Sequence, residues 1–394
     1  MKPLVLFLTI AINAVMANAQ PKKPDYMFNV KPFKIDVQQA VLDDLQARLR
    51  QTRWPDAPEN IGWNYGTDPV YLKSLVTYWQ NGYDWRKQEA AINKIPQFTV
   101  EIDGVNIHFQ HIKSKSPNAK PLLLIHGWPD NFFRFHKVIP LLTDGYDLVI
   151  PSIPGFGFSD HVSSTDDKSA KIFATLMKDV LNYKTFFAAG GDVGQGIAKS
   201  LANIYPENVK AIHLSDVGYP DGSEDWSTMS KAEQEFGQFI QGWWYREGAY
   251  AMLHSTKPQT QAYGLNDSPT GLASWIVEKF NSWRTPGGTI DDHFTKDDLL
   301  TNIMIYWISQ SINSSMRTYA VDHTQQLASS KKVNVPTGVA IFPGDAPTPK
   351  EWAERKVNLK RFTVMEKGGH FAAWEAPDLW AKEVRAFFES DAVK

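Results

Sequence analysis

The residues best suited to chemistry in this chain each follow a short apolar run. Asp192 stands in GGDVG, Asp345 in FPGDAP and His370 in GGH, and His126-Gly127-Trp128-Pro129 comes earlier. A small-x-nucleophile-x-small pattern between a strand and a helix is a sharp turn that usually presents serine. Here it presents a carboxylate, and no G-x-S-x-G occurs anywhere in the chain. An aspartate after a strand is more often a helix cap or a turn former. Glycines at 190, 191 and 194 argue for more, because they let the backbone turn sharply and approach a substrate. Asp192 is therefore read as the nucleophile and His370 as the base. Asp345 is read as the acid that orients the histidine, with Glu351 and Glu354 as rivals at the start of a following helix. The backbone at Trp128 and the N–H of Val193 are the candidate oxyanion donors. His126 is read as structural.

These residues need elements to hold them. QFTVEIDGVNIHFQHI alternates on both sides of Asp103-Gly104, the signature of a hairpin. The runs PLLLIHG (121–127), YDLVIPSIPG (146–155), TFFAAGG (185–191) and VKAIHLSDV (209–217) are short and continuously apolar, with helical stretches between them. That alternation belongs to a buried parallel sheet, and ligands bind beyond the carboxyl ends of such strands. The rhythm stops over 218–325, which is rich in helix formers, Trp and Tyr, and resumes with TGVAIFPGDA and RFTVMEKGGHFAAWEAP. The fold class is thus α/β, a mostly parallel sheet with helices on both faces. A helical lid is inserted in its second half, and a helical segment precedes it. The expected divisions are 1–19 (signal peptide), 20–96 (an extended arm to 35, then helices), 97–217 (first part of the core), 218–325 (lid) and 326–394 (second part of the core).

Bulk composition narrows the function. A formal net charge of −2 argues against a large nucleic-acid surface. The chain has no cysteine, so disulfide and thiol chemistry are excluded. No ligand cluster points to a metal or cofactor. The N-terminus MKPLVLFLTIAINAVMANAQ carries Lys2, an apolar stretch over 4–16 and an Ala-Asn-Ala site, the pattern of a cleaved secretory signal. The protein is expected to be secreted or periplasmic with no stable membrane span after cleavage. An uncleaved N-terminal anchor is the alternative.

The order nucleophile, acid, histidine is that of the α/β-hydrolases. More specifically, the chain resembles the microsomal-type epoxide hydrolases over nearly everything after residue 25. The segments that carry the resemblance are TRWPDAPENIGWNYGTD, HGWPDNFFRF, IPGFGFS, GGDVG, STKPQTQAYGLNDSPTGLASWIVEKF, FPGDAPTPKEW and GGHFAAWEAP. The resemblance implies that the N-terminal segment wraps the lid. It matches Asp192 to the nucleophile, His370 to the base and Asp345 to the acid. It also matches Tyr250 and Tyr319 to paired tyrosines that hold the epoxide oxygen, a choice composition cannot make among them and Tyr219, Tyr245, Tyr263 and Tyr306. It implies an apolar epoxide and water as partners, no cofactor, and leaves a homodimer open.

Two positions depart from the family pattern. Val193 stands where tryptophan is usual, so the pocket should be wider there. Asp130 stands where glycine is frequent, and is expected to add a charge near the mouth. Two rivals stand beside this reading. A haloalkane dehalogenase would use the same aspartate, but Val193 removes a usual halide donor. A non-catalytic protein binding apolar ligands would typically have lost a member of the triad.

Overall fold

The hairpin at Asp103-Gly104 begins the core. Both residues adopt positive φ, 51° and 74°, as a two-residue turn between right-twisted strands requires. It joins β2 (Gln97–Ile102) to β3 (Val105–Ile112), with Ile102 opposite Val105. This computed structural model describes residues 28–222, 224–322 and 330–393. The signal-peptide reading of 1–19 lies outside them.

The remaining strands are β1 (Lys31–Phe33), β4 (Lys120–Ile125), β5 (Tyr146–Pro151), β6 (Phe186–Gly190), β7 (Val209–Leu214), β8 (Val333–Ile341) and β9 (Val357–Val364). They form one sheet in the order β1-β2-β3-β5-β4-β6-β7-β8-β9. Pairing is antiparallel from β1 to β5 and parallel from β5 to β9. Every residue of β5 and β6 is buried, which explains why these strands read as unbroken apolar runs and not as alternating ones.

Helices α4 (Ile139–Leu142), α5 (Asp166–Thr175), α6 (Val193–Ile204), α13 (Lys350–Lys356), α14 (Ala372–Glu375) and α15 (Pro377–Phe388) connect and cover the strands. α6 packs on β4, β6, β7 and β8, with α5 beside it, while α15 packs on β7, β8 and α4. Between β7 and β8 the chain forms α7 (Lys231–Glu247), α8 (Ala249–Thr256), α9 (Pro258–Asp267), α10 (Pro269–Ser282), α11 (Lys296–Ser309) and α12 (Ile312–Asp322). Their starts are written locally. Ser230 and Glu233 close a reciprocal capping box on α7, and Pro269 follows the capping Ser268 on α10.

The N-terminal segment contributes α1 (Gln39–Arg50), α2 (Pro69–Asn81) and α3 (Trp85–Ile92). They pack on α10 and α11. Tyr78 donates to Asp297 at 2.7 Å, and the Thr67 hydroxyl to the Ser274 carbonyl at 2.7 Å. The structure departs from the sequence reading twice here. Residues 52–68 hold no helix, because Pro55, Pro58 and the positive φ of Asn60, Gly62 and Gly66 break it. The arm before residue 36 is not free along its length, since Lys31–Phe33 adds an edge strand to β2. Among the described residues no helix is long and apolar enough to cross a membrane.

Candidate active site

β6 ends at Gly190, and α6 starts at Val193. Asp192 sits between them with φ 56° and ψ −131°, a region L-residues avoid, and it makes no side-chain cap bond to the helix. The helix-cap reading therefore fails. The carboxylate turns the other way, and its Oδ1 accepts the Trp128 N–H at 2.8 Å. The Val193 N–H also favours its charged form. Burial raises the Asp192 pKa above the usual carboxylate range, while the His370 charge and these two N–H groups oppose that rise.

Asp345 and His370 come from the loops after β8 and β9. Those loops are zipped together by the Gly344 N–H on the Gly368 carbonyl and a Gly344–Gly369 bridge. His370 Nδ1 lies 3.1 Å from Asp345 Oδ2, and Asp345 Oδ1 accepts the Ala346 N–H at 2.8 Å. His370 Nε2 faces Asp192 Oδ2 at 3.7 Å and has no hydrogen-bond partner among the described residues. Burial favours the neutral imidazole, but the Asp345 and Asp192 charges outweigh it and lift His370 to about 9. Burial likewise works against charge on Asp345, yet the imidazolium holds it below the usual range. His370 thus lies between two carboxyl groups, both of which favour its charged form. Glu351 and Glu354, the rivals for the acid, are exposed on α13, outside the site.

The main chain of His370 is clamped from both sides. Its N–H donates to the Trp283 carbonyl, just beyond α10, at 2.8 Å. Its carbonyl accepts from Arg134. A Cβ on Gly369 would come within 2.3 Å of that Trp283 carbonyl, so only glycine permits the approach. Thr285 adds two bonds to Glu375 Oε2, from its N–H at 2.6 Å and its hydroxyl at 2.8 Å.

A cavity of about 530 Å³ opens over these groups, lined by Asp192, Asp345, His370, Tyr250 and apolar residues including Trp243 and Trp283. Tyr250 stacks on Trp128 with ring centroids 5.1 Å apart. Tyr319 packs edge-on against Tyr250 at 6.0 Å, one layer behind the cavity lining. The Tyr319 hydroxyl is buried and feels Tyr250 without closing a well-formed hydrogen bond. Burial keeps both phenols protonated. The Asp192 charge reinforces that on Tyr250, and Tyr250 then Asp192 on Tyr319. The other tyrosines sort themselves. Tyr245 and Tyr263 are 90% and 72% exposed, Tyr306 donates to the Asp130 carbonyl at 2.6 Å, and Tyr219 lines the cavity.

Asp130 corrects the sequence reading. It is fully buried, not at the mouth. Its carboxylate pairs with Arg134 and accepts the Gly127 N–H at 2.8 Å, bracing the loop that presents the Trp128 N–H. A charge suggested water, but the arginine four residues on neutralises it. His126 is buried and accepts the Ile153 N–H at 3.1 Å, and burial lowers it to about 4, as fits a structural residue. Val193 is half-buried and packs on the core. Two neighbours escaped the sequence reading. His254, lowered to about 3 by burial, packs against Trp128, Tyr250 and Tyr319. Asp216 closes the run after β7, the same signal that marked Asp192 and Asp345. Among the described residues no group of His, Cys, Asp and Glu could hold a metal ion.

Comparison with known proteins bears on this geometry. Residues 30–135 match the family model described as the epoxide hydrolase N terminus, and 120–261 match that of the alpha/beta hydrolase fold. Epoxide hydrolase 1 of Sus scrofa is 36% identical over 409 residues, covering 91% of this chain and 88% of that protein. The chain belongs to the epoxide hydrolase family. Among solved structures, the epoxide hydrolase of Aspergillus niger superposes with TM-score 0.80 at 30% identity, covering 92% of this chain and 96% of that one. The juvenile hormone epoxide hydrolase of the silkworm Bombyx mori superposes with TM-score 0.79 at 33% identity, covering 91% and 92%. As an epoxide hydrolase it has the α/β-hydrolase core that the alternating runs foretold.

Proposed function

We propose that this epoxide hydrolase converts an apolar epoxide to a vicinal diol through an ester on Asp192. The observation that carries the reading is the carboxylate itself, held at Oδ1 by the Trp128 N–H and facing His370 Nε2 through Oδ2. Oδ2 attacks a ring carbon, which a carboxylate can do without first losing a proton. The carbon–oxygen bond breaks, and the strongly basic alkoxide takes a proton from the Tyr250 and Tyr319 phenols, leaving a phenolate. The imidazolium of His370 returns that proton through site water and becomes a neutral base. His370 then takes a proton from water, and the hydroxide adds to the ester carbon.

The resulting oxyanion lies at the Trp128 and Val193 N–H groups, already in place before reaction. Its collapse expels the diol and restores the Asp192 carboxylate beside a His370 cation. Asp345 fixes the imidazole orientation and stabilises its charge in both half-reactions. The scheme balances without any other proton donor.

The test replaces His370 by Gln. The variant should accumulate a covalent adduct of the mass of the added epoxide, mapped to the peptide containing Asp192, while Asp192→Ala shows neither adduct nor diol. Absence of adduct from the His370→Gln protein sinks the ester mechanism. Halide release from short haloalkanes, run beside diol formation from styrene-, stilbene-, terpenoid- and fatty-acid-type epoxides, separates the dehalogenase reading. Ligand binding with no turnover of any panel member favours the non-catalytic one.

A further inference from the structure

One ionisable group beside the site has no part in the chemistry above. Asp216 follows β7 and is 7% exposed. Its Oδ1 accepts the Gly218 N–H at 3.2 Å, a local turn of the kind aspartates form at strand ends. Its Oδ2 does something a local turn does not need. It accepts the peptide N–H of Asp192, 24 residues away, at 2.9 Å. Asp192 is the residue with the strained main chain. A non-glycine residue in such a region costs on the order of 1–3 kcal/mol and persists only where its surroundings hold it. Trp128 holds the side chain of Asp192, and Asp216 holds its main chain.

The surroundings of Asp216 are crowded with charge. Asp345 faces it from the loop after β8, His370 from the loop after β9 and Asp192 from the elbow. Lys199 faces it from α6, where its ammonium also donates to the Val217 carbonyl at 3.2 Å, and Tyr219 faces it from the following turn. Burial, then Asp345 and Asp192, push the Asp216 carboxyl up to about 7, against the pull of the Asp192 N–H and the His370 charge. The carboxyl therefore exchanges its proton near neutrality, within electrostatic reach of the imidazole that must shed one.

We propose that Asp216 is a positioning residue that holds the main chain of the nucleophile and, by gaining or losing its charge, sets how readily His370 serves as the base. This rests on the roles given above to Asp192 and His370. When the ester forms, the Asp192 charge disappears. Asp345 and Asp216 are then the carboxylates left to favour the imidazolium. An ionised Asp216 keeps His370 cationic to higher pH, and a neutral one releases it at lower pH.

The test uses Asp216→Asn and Asp216→Ala, with styrene oxide as probe. Formation and decay of the ester are followed in single turnovers between about pH 5 and pH 10, the range that spans the groups involved. Asn keeps an oxygen that can accept the Asp192 N–H but carries no charge. Ala should slow ester formation by about tenfold or more through loss of elbow alignment, and Asn should restore it to within about threefold. Asn should also move the acid-side midpoint of ester decay to lower pH by at least about 0.5, because a negative charge near the imidazole is gone. A decay profile of the Asn variant that superimposes on wild type overturns the proposal, as does wild-type ester formation in the Ala variant. If Ala fails to fold, the Asn profile decides alone. If the wild-type protein forms no ester, the mechanism itself has failed. An ester with an unmoved Asn profile removes only the role of Asp216.

Discussion

A single methyl group at Gly127 tests the geometry around Asp192 directly. A Cβ built there stands 2.6 Å from both the Cβ and the Oδ1 of Asp192, and 3.0 Å from its Cγ. Ordinary carbon contacts are about 3.5 Å or longer, so relief needs a shift of roughly 0.9 Å. The Asp192 Cβ is not the far end of a flexible chain, so the main chain of the elbow or of the 126–129 loop must give. Misplacement of reacting atoms by about 1 Å costs on the order of 100-fold, or about 2.7 kcal/mol of transition-state stabilisation. The same shift stretches the Trp128 N–H bond to Oδ1, now 2.8 Å, and loss of one such donor costs about 10²–10³-fold. Both losses come from one displacement and are not additive. Gly127→Ala is therefore expected to slow ester formation by about 10²–10³-fold, read in a rapid-quench single turnover with circular dichroism and melting as folding controls. Gly264→Ala is the matched control, since among the described residues nothing lies within 4 Å of a Cβ there, and it should leave the rate unchanged. A folded Gly127→Ala protein forming ester within about threefold of wild type would refute the close packing on which the argument rests.

Three further outcomes follow from the same geometry. Tyr250→Phe should slow ring opening by about 10²-fold and Tyr319→Phe by less, because Tyr250 lines the cavity and Tyr319 stands behind it; single-turnover rates that are unchanged in both remove the phenols from the mechanism. His370 is raised from an ordinary 6.5 to about 9, so its stabilising contribution is full below pH 6.5 and is lost as pH rises through about 9. Wild type should lose urea resistance over that window, and His370→Gln should lose much less of it. Glu383, bonded to Arg361 at 2.6 and 2.7 Å, has the opposite sign. Burial disfavours its charge, but Arg361 and then His213 hold it down at about 2, against an ordinary 4.5. Its contribution is present above about pH 4.5 and fades as pH falls through about 2. Glu383→Gln should cost about 2 kcal/mol at pH 7 and little near pH 2, measured by denaturant melts.

The parts of the molecule legible in the sequence are those where one local signal dominates. Parallel strands buried on both faces must be apolar along their length, so β4 to β7 stand out. The turn of positive φ at Asp103-Gly104 needs the residues it has. Asp192, Asp345 and His370, which the structure brings together, each follow such a run. Asp216 follows one too, and its bond to the Asp192 N–H could not be read from the sequence. Contacts across the fold were illegible in kind. Nothing local says that Tyr250 stacks on Trp128 while Tyr306 serves the Asp130 carbonyl. Asp130 misled because a lone acidic residue suggests solvent, although Arg134 at the i+4 spacing was there to be read.

The clamp on His370 constrains how this lid can change over evolution or in the laboratory. The His370 N–H bonds to a carbonyl at the end of α10, and a glycine without a side chain keeps the two stretches of main chain in contact. Moving the helices between β7 and β8 as one body would have to break the bond between the Trp283 carbonyl and the His370 N–H. Movements confined to the cavity rim would leave that bond, and the Trp283 to Thr285 segment, in place. A lid exchanged for that of a relative would likewise arrive with its own register for the base. Chimeras that cut between residue 283 and the 368–371 loop should bind substrate and stall, whereas exchanging both segments together should preserve turnover.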